Sequence, residues 1–350
     1  MRRGVTMVGP ACENSARDDN NNNAEETKVR LSTVLLAAIP ALFLSSAQSS
    51  AQSWPTRPIT AIIPFAAGNA NDITARIVFE QLSKQLGQPI IIESRPGAGS
   101  TIGVGQAARA TPDGYTILFH SATFSASYVT HKTLPYDTLN DFTAVSPVGI
   151  SPSVLVAAPS KGWKTAGELV AAAKAKPGQL NFASAGIGAA SHLSAEKFNI
   201  AAGIKAQHIP FKGPVEALTE VMAGRIDYYF LPIAAAINHI KANSVVPLAV
   251  SSDKRTPQLP DVPTTAEIGL PAAAYAFWNG VFVPAKTPQP VVDRLYQETQ
   301  KAIAEPEIKE RLAKMGVAPL PMSQPEFAKY FKADVLDTEK LAKDAGIEKQ

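Results

Sequence analysis

From residue 54 onward, short apolar runs alternate with longer segments whose apolar residues recur every three or four positions. The first run, Ile59-Thr60-Ala61-Ile62-Ile63, has the length of a buried strand. The next segment carries Ile73, Ile77, Val78 and Leu82 at helical spacing and closes at Leu86-Gly87, which predicts a helix over Asn71–Leu86. Strand Ile90–Glu93, helix Ile102–Ala110 and strand Tyr115–His120 follow. Residues 121–148 show little period and several turn signals. The alternation restarts with strand Val154–Ala158, helix Thr165–Lys174, strand Leu180–Ala183 and a helix carrying Leu193, Phe198 and Ile200. It runs on through strand Ala206–Ile209, helix Val215–Ala223, strand Arg225–Leu231, helix Ala234–Ala242 and strand Val246–Ser251. Pro257, Pro260, Pro263 and Pro271 break the next segment. Phe277–Val283 then reads as a strand, and helices over Gln289–Ala304, Glu307–Lys314 and Gln324–Lys343 finish the chain. Strands alternating with helices of this length imply βαβ units and a parallel sheet.

Two turns in this pattern share one design. The first strand leads into Pro64-Phe65-Ala66-Ala67-Gly68-Asn69-Ala70-Asn71-Asp72, a flexible turn with Asn71 and Asp72 as candidate helix caps. Strand Leu180–Ala183 leads into Ser184-Ala185-Gly186-Ile187-Gly188-Ala189-Ala190-Ser191-His192 and a second helix start. Such a turn aims free backbone N–H groups and the positive end of a helix dipole at one spot, which suits an anion. Either turn alone is an ordinary strand–helix connection. A pair in two successive βα runs is what two lobes closing on one ligand require. Gly97-Ala98-Gly99 and Gly103 tempt a dinucleotide reading, but Ile102 stands where the third glycine belongs and no acid lies about 20 residues on. Glycines for a tight turn and close helix packing explain this stretch better.

The chain of 350 residues is 45% hydrophobic and 18% charged, enough for two domains with sizeable cores. Its net charge is +3, with no basic block after residue 60, which argues against a nucleic-acid partner. Lys28 and Arg30 precede the apolar run Leu31–Leu44, then the Ser-, Ala- and Gln-rich stretch Ser45–Ser53. That order predicts a secretory signal peptide cleaved after Ala51, hence a periplasmic protein. The run, of about 14 residues, falls short of the ~20 a membrane span needs. Residues 1–27 look foreign to a signal peptide and read as an N-terminal extension. Cleavage would remove Cys12, the only cysteine, leaving no disulfide or thiol chemistry.

Six motifs in order then resemble the Bug family, the extracytoplasmic substrate-binding proteins of tripartite tricarboxylate transporters. They are Pro64-Phe65-x-x-Gly68-x-x-x-Asp72-x-x-Ala75-Arg76, Glu93-x-Arg95-Pro96-Gly97-Ala98-Gly99-x-x-Ile102-Gly103, and Ala110-x-Pro112-Asp113-Gly114-Tyr115-Thr116. Phe182-x-Ser184-x-Gly186-x-Gly188-x-x-Ser191-His192-Leu193-x-x-Glu196, Pro210-Phe211-Lys212-Gly213, and the pair Asp261-Val262-Pro263-Thr264-x-x-Glu267-x-Gly269 with Trp278-x-Gly280 complete the set. Together they span about residues 54–345. The resemblance implies an α/β, two-lobed periplasmic-binding-protein fold of type II (a Venus flytrap), with parallel or mixed sheets and helices on both faces. It implies domains at 1–51 (signal peptide with extension), 52–155 (first part of lobe one), 156–275 (lobe two) and 276–350 (return to lobe one). The chain should cross between lobes near Val154–Ala158 and near Tyr275–Val281.

The implied function is capture of a small carboxylic acid between the lobes and delivery to a membrane transporter, by a monomer that meets the transporter subunits transiently. No catalytic residue, cofactor or metal is implied. Carried over by position, ligand binding falls to Phe65, Ala67, Gly68, Asn69, Ala70, Asn71, Asp72, Thr123, Ser184, Gly186, Gly188, Ala189, His192 and Phe211. The chain departs from the family's usual Pro-Phe-Pro-Pro-Gly-Gly at Ala66, Ala67 and Asn69; Asn71 replaces a hydroxyl residue, and Ala189 stands where Ser is common.

Other readings stay open at this point. A ligand-presenting subunit of a two-component sensor would share the same fold and site. A secreted hydrolase built on Ser184 and His192 is disfavoured, because no G-x-S-x-G elbow or orienting acid is present. His192 serves either the ligand or a cap or core role, and the five histidines show no metal-ligand spacing. Asp72 reads better as a helix cap than as a contact to an anion. Lys212 offers long-range attraction to an acid or is a solvated turn lysine. Arg76, one turn inside its helix, reads as structural, pairing with a carboxylate or a carbonyl.

Overall fold

A computed structural model describes residues 54–252, 254–275 and 277–349. The expected signal peptide, its extension and the Ala51 cleavage point lie outside the described residues. The first run of elements is β1 (Ile59–Ile63), α1 (Ala70–Leu86), β2 (Ile90–Ser94), α2 (Thr101–Ala108), β3 (Thr116–Ser121), α3 (Thr123–Thr130) and β4 (Phe142–Ser151). The second run is β5 (Ser153–Ala157), α4 (Ala166–Ala175), β6 (Asn181–Ser184), α5 (Ala190–Ala202), β7 (Gln207–Pro210), α6 (Pro214–Met222), β8 (Tyr228–Pro232), α7 (Ile233–Lys241) and β9 (Val246–Ser251). The chain closes with β10 (Phe277–Pro284), α8 (Gln289–Ala304), α9 (Pro306–Lys314) and α10 (Gln324–Asp344).

The strands form two sheets of five, in the orders β2-β1-β3-β10-β4 and β7-β6-β8-β5-β9. In each, three parallel strands come first and a reversed strand fourth: β10 runs antiparallel to β3 and β4, and β5 antiparallel to β8 and β9. The unit β6-α5-β7-α6-β8 therefore repeats β1-α1-β2-α2-β3. Within a parallel set the carboxyl ends of adjacent strands lie side by side, so the turn after β1 neighbours the turn after β3, and the turn after β6 neighbours those after β7 and β8. The fold is a two-domain α/β structure with mixed sheets.

Period-two alternation explains the layers. Ile59, Ala61 and Ile63 of β1 face one core with α1, α8 and α9, while Ile62 faces another with Val104, Phe124, Trp278, Phe327 and Phe331. The second sheet is likewise covered on one face by α6 and α7 and on the other by α4 and α5. A fifth cluster joins Ala126 of α3 to Leu193 and Ala190 of α5, with Tyr275 and Leu341 of α10. It packs the start of α5, which follows the second sheet's β6, against elements of the first sheet.

Two elements fall in the stretch 121–148 that shows no period. α3 is rich in hydroxyl residues of low helix propensity and is fixed by burial of Phe124, Ala126 and Val129. β4 contains Pro147 and Gly149, both strand breakers by reputation. As the edge strand of its sheet it leaves most of its outer side unpaired, the bridge from Ile150 to Ala318 apart, so a proline is tolerated there. Gly149 is needed because a Cβ would lie 2.7 Å from the carbonyl oxygen of Ala318. The glycines that tempted a dinucleotide reading are structural: Gly97 and Gly99 have φ of 133° and 62°, and a Cβ on Gly103 would sit 2.8 Å from the carbonyl oxygen of Arg95. The change of sheet falls at Pro152, between β4 and β5, so all of β5 belongs to the second sheet.

Candidate functional site

At the end of β1 the chain turns through Gly68 (φ 83°) into α1. The N-cap is Asn69, whose Oδ1 accepts the Asp72 N–H at 3.0 Å; neither Asn71 nor Asp72 is the cap residue the spacing suggested. Asp72 instead reaches back, and its carboxylate accepts the Gly68 N–H at 2.8 Å, the Arg76 guanidinium at 2.8 and 3.1 Å, and the Ser94 hydroxyl at 3.1 Å. Burial alone would raise its pKa, but these hydrogen bonds and the Arg76 charge outweigh burial and hold the carboxyl below its ordinary value. Arg76 is thus structural, paired with a carboxylate. Asn71 is 8% exposed and its Oδ1 has no hydrogen-bond partner. Ala67, Gly68 and Ala70 are exposed.

Beside this turn, Phe65 meets the His120 ring edge-on at 5.2 Å, and His120 stacks on Phe124 at 4.8 Å. Burial pushes the His120 imidazole down to about 3, so the ring is neutral at ordinary pH. At the end of β3, Thr123 opens α3 and its Oγ1 lies 3.3 Å from the Ser121 hydroxyl.

The turn after β6 has the same form and different bracing. Ser184 Oγ accepts the Gly186 N–H at 3.1 Å and lies 2.6 Å from His208 Nε2. The Gly188 N–H donates to His192 Nδ1 at 3.1 Å, and the Ala185 N–H to the Ser191 hydroxyl at 3.0 Å. Because His192 Nδ1 accepts, its proton sits on Nε2, which faces Glu196 at 3.7 Å. The rings of His192 and His208 stack with centroids 3.7 Å apart. Burial, then the neighbouring His192, push His208 down to about 3. His192 is 3% exposed and braces the turn with both nitrogens turned to protein groups. Phe211 donates its N–H to the Ser184 carbonyl, and its own carbonyl oxygen lies beside Gly186. The serine that a hydrolase reading would pair with His192 pairs with His208.

The structure therefore gathers the sequence-derived residues into two groups, one per sheet. Phe65–Asp72 with Thr123 forms the first; Ser184, Gly186, Gly188, Ala189, His192 and Phe211 form the second. What joins them is α3. Its Ala126 packs on Leu193 and Ala190, and its Thr130 lies so close to Gly188 that a Cβ there would collide with the threonine side chain.

Within each turn the glycine amides are spent on internal bonds. The groups left over are at the helix starts. In α1, Asn69 N–H binds the Ala66 carbonyl and Asp72 N–H is capped, so Ala70 and Asn71 hold first-turn N–H groups without an intrahelical acceptor. In α5, Ala189 N–H binds Gly186 and His192 N–H binds Ala189, which leaves Ala190 and Ser191 in the same position. Sequence reasoning covered Ala190 and Ser191 only as part of the turn Ser184–His192, without singling them out, and missed Thr130 and His208 as neighbours of that turn, which carry no signal outside the fold.

Residues 74–347 match the family model described as the tripartite tricarboxylate transporter family receptor. BugT of Bordetella pertussis is 32% identical over 305 residues, covering 85% of this chain and 93% of the relative. A protein encoded in the tcbD–tcbE intergenic region of Pseudomonas sp. (strain P51) is 36% identical over 311 residues, covering 88% and 92%. Among solved structures, the periplasmic binding protein BugD superposes with a TM-score of 0.71 at 34% identity, covering 85% of this chain and all of that one. An R. palustris protein solved with adipate gives a TM-score of 0.74 at 30% identity, covering 85% of this chain and 100% of its own. MatC from Rhodopseudomonas palustris, solved with bound malate, gives 0.70 at 30%, covering 82% and 99%. By the extent of these matches, the chain belongs to the receptor family of the tripartite tricarboxylate transporters.

Proposed function

We propose that this receptor is a periplasmic monomer that closes two lobes on one small carboxylic acid and delivers it to transporter subunits in the membrane, without chemical change to the ligand. Lobe one takes residues 52–152 together with 276–350, lobe two takes 153–275 so that all of β5 lies in it, and the hinge is at Pro152 and in the connection from β9 to β10. The observation that carries the reading is the pair of helix starts. α1 and α5 each begin at the carboxyl end of a parallel strand, each on its own sheet, and each offers two adjacent first-turn amides: Ala70 and Asn71 on one side, Ala190 and Ser191 on the other. Amide pairs and dipole ends of this kind favour a carboxylate. The glycine turns, Asp72, Ser184 and His192 position these amides; Phe65, Thr123 and Phe211 line the walls.

Dipole attraction of ~0.3–2 kcal/mol per helix start cannot by itself reach the about −8 kcal/mol of a micromolar ligand. Direct and water-bridged hydrogen bonds and apolar contact supply the rest. Relatives solved with adipate and with malate make dicarboxylic acids the first class to try. The test is a thermal-shift screen of mono-, di- and tricarboxylic acids on the chain lacking residues 1–51. An acid at 100 times its Kd should add ~2.7 kcal/mol of stability. A screen in which no carboxylic acid raises the melting temperature, while folding is normal, contradicts the proposal.

A further inference from the structure

At the carboxyl edge of the first sheet, two asparagine side chains are buried with an unmet polar atom. Asn71 is 8% exposed and Asn279 is 2% exposed, and the Oδ1 of each has no hydrogen-bond partner among the described residues. Asn71 lies in the first turn of α1, at the head of the row Asn71, Ala75, Val78 and Leu82 that the helix turns to its core. Asn279 lies on β10, paired with Ser121, the last residue of β3. It shares a strand face with Val281 and Val283, which pack in the core under α1. Because β10 runs antiparallel to β3, Asn279 stands at the end of the sheet where the turn into α1 and Thr123 also lie.

A buried acceptor without a donor costs stability. Neither carboxamide is needed to brace the turn before α1, which Asn69 and Asp72 already hold. Local conflicts of this kind are kept where a ligand resolves them. A carboxylate only accepts, so it cannot answer an unmet acceptor. An ammonium donates, but the positive end of α1 repels it, and the Asp72 carboxylate is already taken by Gly68, Arg76 and Ser94. A hydroxyl donates without charge. It also accepts, so it suits a carboxamide with either end turned inward.

We infer that the acid taken at this site is a hydroxycarboxylic acid, and that Asn71 and Asn279 select its hydroxyl. Asn71 supplies both a first-turn amide and a carboxamide, so the hydroxyl sits next to the carboxylate which that amide holds. The inference rests on the cleft reading and narrows it: the helix-start amides accept any small acid, and the two carboxamides sort among them.

The experiment is calorimetric titration of the purified protein with matched acids: malate against succinate, 2-hydroxyglutarate against glutarate, and lactate against propionate. In the pair that binds, the hydroxy acid should bind at least tenfold more tightly than its partner. Aspartate, with an ammonium in place of the hydroxyl, should bind less tightly than malate. The double variant Asn71→Leu with Asn279→Leu keeps the branched shape without the polar atoms. Its ratio should fall below threefold, while the melting temperature of the unliganded protein holds or rises. A structural pair of asparagines would instead lower the melting temperature and leave the ratio alone. Asn71→Leu by itself should also lower the ratio, and it serves if the double variant folds poorly. Equal binding within every pair, aspartate tighter than malate, or a ratio unchanged in the variants overturns the inference and leaves the carboxylate reading standing. Binding of no acid in either series overturns both.

Discussion

At the end of β1 the turn before α1 is held by a buried carboxylate, with Asp72 drawing in Gly68, Arg76 and Ser94. At the end of β6 the turn before α5 is held by neutral imidazoles and hydroxyls, with Ser184 on His208 and His192 on Gly188. The two turns have the same strand–turn–helix geometry and leave the same two amides free. An ionic brace beside the proposed anion site is acceptable here because Arg76 compensates Asp72. The second turn uses no charge, and burial, then the neighbouring His192, hold the His208 imidazole well below its ordinary value, so the strength of its bond to Ser184 depends on His208 staying unprotonated.

The largest effect should come from the glycines, which are not equivalent. Gly188 has φ 74° and no room, since Thr130 occupies the place of a Cβ; Gly68 has φ 83° and nothing within 4 Å. Gly188→Val should abolish binding of the acid found in the screen, more than 100-fold by calorimetry, and loosen the packing of α3 against α5. Gly68→Ala should cost only the ~1–2 kcal/mol of a left-handed alanine. Equal losses in the two variants would break the distinction.

Next in size is Asp72→Asn, which leaves Arg76 without its partner and weakens the bond to Gly68. A loss of ~1–3 kcal/mol is expected in chemical denaturation, since hydrogen bonds to charged groups are the stronger ones. His208→Gln, which keeps a polar partner for Ser184, should cost less at pH 7.

The pH response separates the braces further. His208 and His120 are held at about 3 in the folded protein, while an unfolded histidine titrates near 6.5. As pH falls through that window the unfolded chain takes up protons that the folded one refuses, so stability falls steadily from about pH 6.5 toward about 3. Asp72 acts lower: its pKa is depressed in the fold, so its contribution is whole above the ordinary aspartate value and is lost only as pH drops through the folded one. Denaturation midpoints at pH 7 and pH 5 should therefore differ for the wild type and differ less for His208→Gln. Asp72→Asn should leave the difference intact. A midpoint difference unchanged by His208→Gln would refute the neutral brace.

The smallest effect belongs to Asn71. Its Oδ1 is buried without a partner, so the side chain contributes at most about one hydrogen bond, ~0.5–1.5 kcal/mol, to the bound state. Asn71→Ala should weaken acid binding by no more than about tenfold, read by calorimetry.

Much of this was legible in the sequence because largely buried strands such as Ile59–Ile63 and Val154–Ala157 are short, mostly apolar runs between helical periods. α3 and β4 were not, for local reasons that the fold overrides. The hydroxyl-rich α3 is stabilised by Phe124 in an aromatic core, and the Pro147 and Gly149 of β4 are acceptable only at a sheet edge with the Val317–Ala318 segment against it. At the site, the two turns could be picked out by spacing. Which amides are free could not, because that depends on the N-cap being Asn69 and on side chains such as Asp72, Ser184 and His192 taking the glycine amides first.

The most direct measurement of the central claim is calorimetry of the best acid from the screen against its primary amide. The acid should bind at least 100-fold more tightly than the amide, because the N–H pairs at the proposed site can donate to both carboxylate oxygens but to only one oxygen of the amide. If the amide binds as tightly as the acid, the two helix starts do not grip a carboxylate.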